Sequence, residues 1–89
     1  METRRAWIIG FRRGPRSQNP GQVILRIEGV LDHRLASRYI GSKVIYRDRY
    51  GNTYIGRIVK THGGKGLVRA VFRPNLPGQA IGGSVEVLS

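Results

Sequence analysis

Cysteine is absent from the 89 residues. That excludes disulfides, cysteine-ligated zinc and a thiol nucleophile, and leaves the redox compartment unrecorded. Acids are scarce: five Asp and Glu serve the whole chain, and His33 and His62 are the only histidines. A metal centre or an acid–base pair would have to gather several of these few groups from distant positions. Long apolar runs are also missing. The opening METRRAWIIGFRR has basic flanks around an apolar run too short for a signal peptide or a membrane span, so the chain reads as a soluble cytosolic protein with no membrane partner.

What is abundant is positive charge. Sixteen Lys and Arg outweigh the five acids for a net charge of +11, and since only Lys43, Lys60 and Lys65 are lysines, 13 of the cations are arginine. An imbalance of this size predicts a polyanionic partner. Arginine suits bidentate phosphate contacts and stacking on bases. A hydrophobic content of 39% sets the chain among globular proteins rather than disordered tails. Its length supports one modest core, so residues 1–89 are expected to form a single domain, monomeric when isolated.

Short apolar runs rich in Val, Ile, Tyr and Phe alternate with Gly or Pro every eight to twelve residues or so, which predicts an all-β fold of six antiparallel strands. The expected strands are Arg5–Arg12, with Trp7, Ile9 and Phe11 sharing a face; Gln22–Glu28, with Val23, Leu25 and Ile27 inward; Lys43–Asp48; Thr53–Thr61; Gly66–Arg73, with Val68, Ala70 and Phe72 inward; and Gly83–Leu88, closed through Val85 with Val87 or through their neighbours. Arg-Tyr-Gly-Asn at 49–52 reads as a tight hairpin in which Gly51 and Asn52 tolerate positive φ. Asp32 caps one short helical turn and Gly41 ends it. Closing six strands into a barrel removes exposed sheet edges, which favours a barrel over an open sheet. The segments 13–21 and 74–82 are long for so small a barrel, a length that points to function.

The stretch KTHGGKGLVRAVFRPNLP, Lys60–Pro77, invites several chemical readings. As a phosphate loop it fails, because Gly64-Lys65 is followed by Gly66 and no Gly stands at 59. As a dinucleotide fingerprint it fails because it leads into a strand rather than a helix. His62-Gly63-Gly64 resembles the oxyanion loop of esterases, but Ser84 sits in GGSVE, which is no nucleophile elbow. Leu67 and Arg69 occupy positions where an RNA-recognition sheet would present aromatics, so Phe72 is assigned to the core. No catalytic residue, metal site or cofactor is expected.

Binding is the remaining chemistry. Arg12, Arg13 and Arg16 cluster in the first long loop, and Arg47 and Arg49 flank the hairpin. Arg57, Arg69 and Arg73 alternate with core residues and so point outward, while Lys43, Lys60 and Lys65 extend the same charge. Gly63, Gly64 and Gly66 allow positive φ and leave backbone amides open to phosphate, chiefly at Gly63 and Gly64. His62 has two readings at this stage, a turn residue with a hydrogen-bond partner in the fold or a direct RNA contact. Of the aromatic residues, Tyr50 at the hairpin tip is the one not assigned to the core or wall, and base stacking is left open for it. A solvated face is the ordinary fate of a charge run, but like charges without interleaved acids crowd one another, and phosphates would relieve them.

The segment Gly56–Pro77 resembles the signature of the archaeal and eukaryotic large-subunit ribosomal protein family L thirty-five Ae (eL thirty-three). The pattern is Gly, Lys, aliphatic, any, Arg, any, His-Gly, two positions, Gly, any, Val, any, Ala, any, Phe, three positions, Leu-Pro. Arg57 stands where lysine is usual and Lys60 where arginine is usual; both keep the charge, and the second gives up a bidentate fork. The likeness extends to Ile27–Val30, Tyr39–Gly41 and Ala80–Gly82, and the short RDRYGNT hairpin is similar to the compact archaeal type. The resemblance implies the six-stranded barrel of translation proteins. It also implies a place in the cytoplasmic ribosome, with large-subunit ribosomal RNA and neighbouring ribosomal proteins as partners, and transfer RNA as a further one. The alternatives are a free-standing RNA or transfer-RNA binding module and, from another class, the RNA-binding module of a modifying enzyme.

Overall fold

The computed structural model describes residues 3–12, with the backbone alone at Arg12, and residues 22–73, 76–77 and 80–88. Six strands, β1 (Thr3–Arg12), β2 (Gln22–Ile27), β3 (Lys43–Arg47), β4 (Thr53–His62), β5 (Leu67–Arg73) and β6 (Ser84–Leu88), and one short helix, α1 (His33–Ser37), account for its regular structure. The strands close into an antiparallel barrel in the order β1-β2-β5-β4-β3-β6.

The period-two patterning decides what fills it. Val23, Leu25 and Ile27 from β2, Val68, Ala70 and Phe72 from β5, and Val85 and Val87 from β6 are all buried, as alternation on a half-buried strand requires. Phe72 is the largest fully buried side chain. It leaves no room for a side chain across the ladder: a Cβ on Gly56, its partner on β4, would lie 2.6 Å from the Val71 carbonyl oxygen and 2.8 Å from the Phe72 ring.

Two β-bulges set which residues face outward. In β1 the ladder passes from Ile8 opposite Leu25 to Gly10 opposite Ile24, so Ile9 is an extra residue and the alternation inverts there. The core face of β1 is therefore Ala6 and Ile8, with Phe11 packed against it; Trp7 faces out opposite Arg26 and Ser84, and Ile9 is exposed. The expected Trp7–Ile9–Phe11 face is thus corrected by the inversion. A second shift lies between Ile58 and Lys60 in β4. Ile58 is buried opposite Ala70, and plain alternation would have turned Lys60 and His62 inward with it. With Val59 as the extra residue, Lys60 pairs with Arg69 and His62 with Leu67 on the outside. The backbone of Ile58 is fixed at this point by the lead-in to β3, donating N–H to Ser42 at 2.9 Å and accepting from Gly41 at 2.7 Å.

Asp32 caps α1 as its sequence position predicts, its Oδ1 accepting from Leu35 N–H at 2.9 Å. The helix ends at Ser37, and Gly41, with φ of 92°, follows a turn later rather than at the terminus. Ala36 and Val30 from this connection are buried in the same core. In the β3–β4 hairpin the only positive φ is at Gly51, so Asn52 does not share that conformation. No helix is long and apolar enough to cross a membrane among the described residues.

Candidate nucleic-acid interface

The outer surface of β2, β5, β4 and β3 carries the charge. Cross-strand partners lie on the same face, so the ladders place Lys43 against Arg57, Lys60 against Arg69, and Arg73 against Ile55, with Arg26 opposite Leu67 one pair further along. Lys65 stands exposed in the β4–β5 turn at the end of this surface. Ile24, Leu67 and Val71, each half-buried, lie between the cations.

Two of these pairings set like charges directly opposite each other, an arrangement that disfavours the isolated sheet. Among the described residues no carboxylate is ion-paired with them, and Glu28, exposed at the end of β2, has no ion pair either. Among the described residues the one ion pair is Arg47 with Glu86, 2.8 Å apart and both exposed, and it lies around the barrel on β3 and β6. Asp32 and Asp48 are engaged in turns. Arg57 reaches only a distant backbone oxygen, Gly41 O at 3.5 Å.

Arg69 is the exception to free display. It is half-buried, and its Nε donates to His62 Nδ1 at 2.9 Å. As the acceptor, that Nδ1 carries no proton, so the imidazole proton sits on Nε2 and remains a donor. The bond gives His62 the in-fold partner that sequence left open and holds the Arg69 guanidinium on the outer face beside Lys60. A tethered fork keeps less rotamer freedom to lose when it meets an anion.

The glycines of the β4–β5 turn divide by what surrounds them. A Cβ at Gly66 would lie 2.6 Å from the Val30 carbonyl oxygen, and its φ is 90°, so this glycine locks the turn against the segment before α1. Gly63, with φ of 70°, and Gly64 are exposed with nothing within 4 Å of a Cβ position. Their backbone is open to a close-approaching group, as expected of them; Gly66 is buried packing.

The remaining expected residues scatter. Arg47 forms an exposed ion pair with Glu86, so its charge has an acidic neighbour that those on β4 and β5 lack among the described residues. Arg49 stands over the Tyr50 ring, 5.7 Å from its centroid, at the hairpin end of the barrel, away from Lys65. The Arg12 side chain, Arg13 and Arg16 lie outside the described residues. Arg26 also joins the basic surface: it is exposed on β2, and the pairing of β2 with β5 sets it opposite Leu67 and diagonal to Arg69. No cluster of His, Asp and Glu able to hold a metal ion occurs among the described residues.

Comparison with known proteins adds a lineage to this geometry. The family model described as Ribosomal protein L35Ae matches residues 3–88. The large ribosomal subunit protein eL33 of Aeropyrum pernix is 44% identical over 89 residues, covering 99% of this chain and 94% of that protein. Its namesake in Methanopyrus kandleri is 40% identical over 87 residues, 97% of each chain. That of Dictyostelium discoideum is 33% identical over 90 residues, 91% of this chain and 86% of that protein.

Proposed function

The chain belongs to the ribosomal protein L35Ae family, and from that premise we propose that it is a structural constituent of the large ribosomal subunit whose β2–β5–β4–β3 surface is seated on ribosomal RNA phosphates. Membership of a ribosomal-protein family makes it a non-enzyme. The observation that carries the reading is the pair of like-charge matches, Lys43 with Arg57 and Lys60 with Arg69, none of them ion-paired with a carboxylate among the described residues. A phosphate chain supplies the missing counter-charge and releases bound counterions as it does so.

Within this reading, residues 1–89 act as one domain, monomeric before assembly, and its place is the cytoplasmic ribosome. Arg57, Lys60, Arg69, Arg73, Lys43 and Lys65 contact phosphates, His62 contributes its Nε2–H or positions Arg69, and Gly63 and Gly64 let backbone amides approach the RNA. Arg12, Arg13 and Arg16 extend the contact from the first loop, and Arg49 with Arg47 contributes at the hairpin end. Neighbouring ribosomal proteins meet the remaining surface. Transfer RNA presents the same phosphate chemistry and would compete for the same face.

Two measurements test it. Tagged protein expressed in cells should migrate with large subunits on a sucrose gradient; migration only in the free fractions would favour a stand-alone RNA-binding module. For the purified protein and a ribosomal RNA fragment, log K should fall linearly with log salt, by about 0.7 to 0.9 per phosphate engaged. A flat response would refute phosphate seating.

A further inference from the structure

Beside the β3–β4 hairpin the barrel opens into a recess of about 580 Å³, lined by aromatic residues that the basic surface does not use. Tyr46 and Tyr54, paired across the strands with ring centroids 5.7 Å apart, form one wall and pack against the core. Tyr50 rises at the rim and is 78% exposed, the most exposed large hydrophobic side chain among the described residues.

Exposure of a tyrosine at a loop tip is unremarkable when the loop is loose. This loop is held. Asp48 accepts from the backbone N–H groups of Tyr50 and Asn52, both at 2.9 Å, and from the Asn52 side chain at 3.0 Å. The acid thereby fixes the hairpin while keeping its negative charge, so Arg49 is the group of this rim that can meet an incoming anion. Arg49 covers one side of the Tyr50 ring and carries no ion pair among the described residues. The result is a pre-set aromatic face backed by a cation, next to a recess with further aromatic wall.

We propose that this recess takes one unpaired nucleotide of RNA, its base stacked on Tyr50 and its phosphate held by Arg49. The proposal rests on the RNA-binding reading above and deepens it: the strand surface neutralises backbone without regard to sequence, whereas this end recognises a base that has left its helix. Every base offers a π-face, so the site selects an extruded nucleotide rather than a particular letter. A helical segment, with its bases stacked inside, cannot enter.

The test compares two short hairpin RNAs, one fully paired and one with a single bulged adenosine, by fluorescence anisotropy at fixed salt. The wild-type protein should bind the bulged RNA about tenfold more tightly, the scale of one base–aromatic stack. Tyr50→Ala should abolish that preference and leave affinity for the paired RNA unchanged, while Tyr50→Phe, which keeps the stacking ring, should retain it. Equal binding of both RNAs by the wild type would overturn the proposal and spare the backbone reading. A preference that survives Tyr50→Ala would also overturn it, leaving the exposed ring to a protein neighbour. Failure to bind either RNA would sink both readings together.

Discussion

Replacing Lys60 by Gln should make the free protein more stable and the RNA complex weaker. Lys60 and Arg69 are direct cross-strand partners on β4 and β5, and Arg69 cannot swing far because His62 holds its Nε. For charges separated by about 6 Å, Coulomb repulsion is about 0.7 kcal/mol in water and about 3 kcal/mol at an effective dielectric of 20. Lys60 is exposed, which places the pair near the lower figure and within the range of about 0.2–1 kcal/mol measured for cross-strand pairs. A gain of about 0.5 kcal/mol in a domain of this size raises Tm by about 2–4 °C. The gain should fade in 1 M salt, where the screening length is only about 3 Å. The same variant should lower the slope of log K against log salt by about 0.7 to 0.9, one phosphate fewer. Thermal melts at low and high salt, with an RNA titration across salt, measure both sides. A Lys60→Gln protein with unchanged Tm at low salt and an unchanged slope would refute the idea that this face is strained by its own charge and relieved by phosphate.

Other substitutions separate structure from binding. Lys65→Ala, at an exposed turn position, should weaken RNA binding and leave Tm within about 2–4 °C of wild type, the usual scale for surface changes. Arg69→Ala should lose both, because it leaves His62 Nδ1 half-buried without its donor; a melt identical to wild type would show that the bond is dispensable. Gly66→Ala places a methyl 2.6 Å from the Val30 carbonyl oxygen at a left-handed φ, and should destabilise by about 2 kcal/mol or more, visible as a lowered urea midpoint. Asp48 titrates below the ordinary aspartate value: burial acts to raise it, but is outweighed by hydrogen bonds from the Asn52 side chain, the Asn52 and Tyr50 backbone and Tyr54. Its stabilising contribution is therefore full above the ordinary aspartate pKa of about 3.9 and is lost as pH falls through the lower folded value. The difference in Tm between wild type and Asp48→Asn should accordingly be present near neutrality and disappear in strong acid; a difference that persists there would contradict the assignment.

The strands were legible because one face of each had to be apolar. On β2 and β5 alternation identified the inward residues correctly, down to Phe72 as core; on β6 it left Val85 with Val87 or their neighbours open, and the structure buries Val85 and Val87. It failed on β1, where Ile9 is inserted without any local mark that a bulge requires; Trp7 and Ile9 are as hydrophobic as the residues that are buried. The interface was half legible for the same reason. Outward arginines on β5 follow from alternation alone, but the outward turn of Lys60 and His62 depends on the Val59 bulge, and the meeting of Lys60 with Arg69 depends on strand register. Long-range partners such as Glu86 for Arg47, or His62 for Arg69, have no sequence signature, because the ladders that bring them together are set by the closure of the whole barrel.

The central claim concerns what lies against β4, and the absence of cysteine makes it directly measurable. A single thiol at Val59→Cys, an exposed bulge position between Ile58 and Lys60 that leaves every cation in place, can carry a tethered iron chelate into assembled large subunits. Thr3→Cys, on β1 across the barrel, serves as the comparison. Strong, localised hydroxyl-radical cleavage of ribosomal RNA from position 59, with weaker cleavage from position 3, is the predicted result; cleavage from position 3 and none from 59 would contradict it.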